Sequence, residues 1–159
     1  QRQMCIRDSL LHRLRTHGRE VGDEAVLDAG DVARWMVPDG MSSHVHVFEP
    51  RVGGAFRISL TYETMEGQGK TTPHTDTHHG RFVALVPDRE VVEVVEFESD
   101  DVSMRGQMTI SISLADGAHG GTDVAAIHAG LPGGVSPADN ETGWRMALAK
   151  LADLVEAGA

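Results

Sequence analysis

One cysteine, Cys5, is the whole supply of thiol in this sequence, so no intramolecular disulfide can form and a reducing, cytoplasmic setting is expected. Basic residues are also scarce. Fourteen stand against 24 acidic ones, and the resulting net charge of -10 repels a phosphate backbone, so nucleic acid is not an expected partner. No apolar run approaches the ~20 residues of a membrane-spanning helix, and the N-terminus has no apolar signal core; neither membrane insertion nor export is expected. Gly-x-Ser-x-Gly and a phosphate loop are missing, which removes the common nucleophile and nucleotide signatures. Aromatics are few, with four phenylalanines, two tryptophans and one tyrosine, so a cavity is easier to leave open than in an aromatic-rich core.

What is present suits one domain of 159 residues, large enough to bury a core without disulfide or metal staples. Residues 1–9 are set aside, because Met4-Cys5-Ile6-Arg7-Asp8-Ser9 resembles translated adapter sequence; the domain is expected over residues 10–157. Leu10 to Arg15 suits a first edge strand, and two short helical patterns follow, one from Arg19 to Leu27 and one around Val32, Ala33 and Trp35. Pro38 and Gly40 end the helical stretch.

Alternation then takes over. His44 to Glu49 reads as a strand with Val45 and Val47 on one face, and Phe56, Ile58, Leu60 and Tyr62 share a face of the next. Thr75–Val86 and Val91–Glu98 form strands around the Pro87-Asp88 turn. Met108, Ile110, Ile112 and Leu114 define another strand, and Thr122 to Ala129 the last. Ser136-Pro137-Ala138-Asp139 opens a final helix with a capping serine, a proline at its first position and an acidic residue three after the cap. Trp144, Leu148, Leu151 and Val155, widened by Ala147 and Leu154, give that helix an apolar stripe that must pack on the sheet.

The segments Ala33-Arg34-Trp35, Pro38-Asp39-Gly40, Val52-Gly53-Gly54-Ala55-Phe56-Arg57, Gly80-Arg81-Phe82 and Gly143-Trp144 through Leu151 occur in an order that resembles the SRPBCC superfamily. More narrowly, they are similar to its bacterial branch named after the C-terminal domain of the activator of the heat-shock-protein-90 ATPase. The resemblance spans Leu10 to Glu156. It implies an α+β helix-grip fold, in which a curved antiparallel sheet of six to seven strands grips a long C-terminal helix, with two short N-terminal helices. It also implies a cavity between sheet and helix without naming an occupant.

Trp35, Phe56, Ile58, Trp144 and Leu148 are placed by the resemblance around that cavity, and Met108, Ile110 and His128 join them as candidate ligand contacts. The expected function is therefore binding of a hydrophobic or amphipathic small molecule, without a cofactor. An enzymatic alternative is cyclase-like chemistry with His128 as general base. A metal-assisted version would use His74, Asp76 and His78, whose ~6.6 Å steps along one strand face suit zinc with an open position for water; His79 adjoins them. Arg57 and Arg105 are further candidates for binding a ligand carboxylate. Glu93, Glu96, Glu98, Asp100 and Asp101 read as a solvated strand face. A third alternative, suggested by the branch name, is regulation of a chaperone ATPase, although this sequence is not expected to hold the additional N-terminal domain of eukaryotic activators. A homodimer through an exposed sheet edge is also compatible with the pattern.

Overall fold

The computed structural model describes residues 9–15, 21–64, 69–118 and 120–157. Seven strands alternate with three helices in the order β1 (Ser9–Arg15), α1 (Asp23–Leu27), α2 (Ala29–Trp35), β2 (Met41–Phe48), β3 (Ala55–Tyr62), β4 (Thr75–Val86), β5 (Glu90–Phe97), β6 (Met108–Asp116), β7 (Thr122–Ala129) and α3 (Pro137–Ala157). All neighbouring strands pair antiparallel in one sheet of order β1-β7-β6-β5-β4-β3-β2. The first strand exists as expected, and the two helices that follow it link the two outer strands, β1 and β2. A dimer through a sheet edge would have to use one of these.

Local chemistry explains the helix boundaries. Asp28 ends α1 and caps α2, its carboxylate accepting a hydrogen bond of 2.9 Å from the Asp31 N–H. At α3 the Ser136 hydroxyl accepts from the Asp139 N–H at 3.2 Å, as the capping pattern predicts. Replacing Ser136 by alanine leaves that donor to water and is expected to lower stability by about 1 kcal/mol, read as a shift in the denaturation midpoint at unchanged slope. No change at all would mean that Pro137 alone sets the helix start.

Two register shifts bend the sheet. One falls between Val45 and Val47 on β2, the other between Phe82 and Ala84 on β4. An extra residue in one strand twists and curves the pair locally. The first shift corrects the expectation that Val45 and Val47 share a face. With His46 bulged, Val45 stands opposite Ile58 and Phe48 opposite Phe56, both toward the core, while Val47 turns outward at 41% exposure.

The core lies between the concave sheet face and α3. Phe56, Ile58, Phe82, Val95, Ile112 and Val124 line the sheet side, and Ala147, Leu148 and Leu151 complete it from α3. Trp144, Leu154 and Val155 are partly buried against its margin, so the expected stripe does face the sheet. Gly80 is tied to this packing, because a Cβ there would lie 2.0 Å from the Val94 carbonyl oxygen and 2.7 Å from the Phe56 ring. Only glycine lets Phe56 and β5 close over that position. These features are a helix-grip arrangement of the α+β class.

Candidate functional site

Register places the concave-face residues in rows that cross the strands. Phe82 pairs with Glu93, Glu93 with Ile110, and Ile110 with His128, giving a row from β4 through β5 and β6 to β7. Next to it, Phe56, Gly80, Val95 and Met108 form a second row, and Ile58, His78 and Phe97 a third. The eight residues expected to line a pocket thus divide between the two halves of the sheet, α2 and α3.

Trp35, Trp144 and His128 come together although more than a hundred positions separate the two tryptophans. The Trp144 ring stands edge-on to Trp35 at 6.4 Å and edge-on to His128 at 4.7 Å. Trp35 is fully buried and donates from Nε1 to the Ala25 carbonyl at 2.6 Å, which pins α2 against α1. Ile110 pairs with His128 on the neighbouring strand, and Met108 follows two positions away on the same face. Leu148 is buried one helical turn after Trp144. Trp144 itself is only partly buried, at the seam where helix meets sheet.

Phe56 and Ile58 belong to the other half. Phe56 packs on Phe82 at 5.3 Å and on the His78 ring at 6.1 Å, and His78 in turn meets Phe97 edge-on at 6.4 Å. Desolvation among these rings pushes the His78 imidazole down to about 4, so it is neutral near pH 7.

The residues considered as metal ligands are separated by their surroundings. His74 sits in the turn before β4. Asp76 is buried and bonded by both the backbone N–H and the ammonium of Lys70, the latter at 2.8 Å. His78 lies between aromatic rings, and His79 is on the opposite face with Nδ1 3.0 Å from Glu98. Among the described residues no group of three or more His, Cys, Asp or Glu is arranged to hold a metal ion. The candidate arginines also have partners. Arg57 donates from Nε and Nη2 to both Glu98 oxygens at 2.8 and 2.9 Å, holding that carboxyl down to about 2, and Arg105 donates from Nε to the Ser99 carbonyl at 2.7 Å.

One residue of the acidic stretch is not solvated. Glu93 lies inside, 7% exposed, between Phe82 and Ile110 on the concave face. Among the described residues no side chain pairs with it, and burial alone pushes its carboxyl up to about 7. Its position was available in the alternation Val91, Glu93, Val95, Phe97, which carries three apolar residues against the two, Val92 and Val94, of the opposite phase, but the charge of the glutamate spoke for solvent. A groove of about 190 Å³ lies elsewhere, lined by His79, Gly80, Arg81, Val94, Val95, Glu96 and Gln107. None of the eight expected pocket residues borders it.

Comparison with known proteins adds the lineage. The family profile described as Activator of Hsp90 ATPase homolog 1-like protein matches residues 24–156. The crystal structure of protein CV1439 from Chromobacterium violaceum is similar at 26% identity and a TM-score of 0.81, with 95% of this chain and 99% of that one covered. A protein from Arthrobacter aurescens solved by NMR gives 0.77 at 14% identity over 94% and 87% of the two chains. Protein NE0264 from Nitrosomonas europaea gives 0.71 at 16% identity over 95% and 96%. No functionally curated protein matches the sequence.

Proposed function

Since the chain belongs to the Activator of Hsp90 ATPase homolog 1-like family, whose fold is a ligand-binding one, we propose that it binds a hydrophobic or amphipathic small molecule between the concave sheet face and α3. The observation that carries this reading is the seam at Trp144. Its ring bridges the buried Trp35 and His128 yet keeps part of its surface in solvent, the position of a residue that a ligand would touch on entering the core. A cytoplasmic setting belongs to the same reading, supported by the single cysteine.

Removing Trp144 should harm binding more than folding. Trp144→Ala is expected to weaken a co-purified or added apolar ligand by about tenfold or more while costing less stability than loss of a fully buried aromatic. Native mass spectrometry of the untagged protein would first identify what is carried; calorimetry on wild type and variant then gives the ratio. A variant that keeps both its fold and its affinity would remove the seam from the site.

A chemical step is a second reading, and His128 is the group that favours it, buried at 1% exposure beside the Trp144 ring. A turnover that follows a single ionisation and disappears in His128→Asn would support it. The metal-assisted version has less to draw on, because Asp76 is already bonded to Lys70. The chaperone reading rests on the family description alone, and a pull-down with the chaperone tests it.

A further inference from the structure

Of the two carboxylates buried among the described residues, Asp76 and Glu93, only one has a described donor. Asp76 holds Lys70 at 2.8 Å. His78 is packed between Phe56 and Phe97 and stays uncharged near neutrality. His128 lies against Trp144, and Lys150, reaching in from α3, donates to the Val37 carbonyl at 2.8 Å and pairs with Asp39 at 3.3 Å. Glu93 is the carboxylate without one, 93% removed from solvent in a row whose neighbours are Phe82 and Ile110.

We propose that Glu93 is the polar anchor of the site and that the ligand is an amphipathic amine, its ammonium on the Glu93 carboxylate and its apolar body along the face that α3 covers. This rests on the binding reading above and specifies its ligand class. A carboxyl in apolar surroundings without a hydrogen-bond donor is costly, and such a group is kept where a partner arrives from outside. The missing partner is a donor, and a cation complements it best, since the basic groups near this face, Lys70 and Lys150, are engaged elsewhere. With the proton on nitrogen the ammonium donates N–H···O to the carboxylate, and with it on oxygen the acid donates O–H···N to the amine, so the group is partnered in either case. An acidic chain of net charge -10 also attracts cations to the entrance.

Placement adds specificity. Glu93 and His128 are both partners of Ile110, on its two sides, so their Cα atoms stand about 10 Å apart along one row. A ligand anchored at Glu93 and lying along that row reaches the His128–Trp144 pair at the seam. A fatty acid would instead bring a second carboxylate to an acidic group and be rejected.

The test compares three probes of equal chain length, dodecylamine, 1-dodecanol and dodecanoate, titrated at about pH 8 and followed by tryptophan emission and calorimetry. The amine is expected to bind about tenfold tighter than the alcohol, with dodecanoate weakest. In Glu93→Gln that advantage should vanish while alcohol affinity changes by less than about threefold. If the variant keeps the amine advantage, the preference comes from overall charge and the anchor assignment is wrong. If the three probes bind wild type equally, the pocket stands and the ligand class falls. If none binds, the binding reading fails and takes this inference with it. A second readout needs no variant: in protein labelled at the glutamate carboxyl carbon, saturating dodecylamine should lower the Glu93 titration midpoint by about one unit or more, and an unmoved midpoint overturns the proposal.

Discussion

Trp35→Ala is expected to remove about 3–5 kcal/mol of folding stability, a large share of the roughly 5–15 kcal/mol that holds a typical domain together. Three losses combine. The indole is fully buried, so its deletion opens a cavity in the core. Its Nε1 hydrogen bond to Ala25 is the only described side-chain bond tying α2 back to α1. Its edge-on contact with Trp144 also joins α2 to α3. Trp35→Phe separates these contributions, since it keeps most of the volume but leaves the Ala25 carbonyl without its donor, at a cost of about 1–3 kcal/mol. Chemical denaturation of both variants gives the two numbers. A Phe variant as stable as wild type would show that water reaches Ala25 and that volume alone matters.

Glu93→Gln should stabilise the protein, and only above mildly acidic pH. In the folded chain the carboxyl is pushed up to about 7 by burial, against 4.5 when exposed. A raised carboxyl means that the folded state holds its proton more tightly than the unfolded one. Its contribution is therefore complete below about pH 4.5 and is lost as pH rises toward 7. That window corresponds to a destabilisation on the order of 3 kcal/mol at neutral pH and above, which glutamine, having no proton to lose, does not suffer. Wild type and variant should then have equal stability near pH 4 and separate progressively up to about pH 7, seen in denaturation curves across pH. His78 acts on both proteins alike, with the opposite sign. Its imidazole is depressed to about 4, so its contribution is complete above 6.5 and declines as pH falls toward 4. A constant difference between wild type and Glu93→Gln at all pH values would mean that the carboxyl is not desolvated.

The same residue shows how far the sequence could be read. Strands β3, β6 and β7, helix α3 and its Ser136 cap were legible because each is signalled within a few neighbouring residues: a period of two, a period of 3.6, or a hydroxyl three positions before a free N–H. The resemblance supplied the order in which these pieces assemble. Glu93 was misread because its charge, with Val92 and Val94 on the opposite phase, outweighed the apolar neighbours Val91, Val95 and Phe97 on its own. Val47 was misread for a related reason. A one-residue bulge at His46 exchanges inward and outward positions, and nothing in His44 to Glu49 marks it.

The sequence alone therefore determined the type and order of the elements, the apolar stripe of α3 and the candidate residues on each clear strand phase, since these follow from contacts between near neighbours along the chain. The tertiary structure decided which phase of β2 and β5 turns inward, that Asp76 is taken by Lys70, and that Trp35, His128 and Trp144 converge. Those outcomes depend on strand register and sheet curvature, which are set by pairing between segments far apart in sequence and so leave no local signature in either partner.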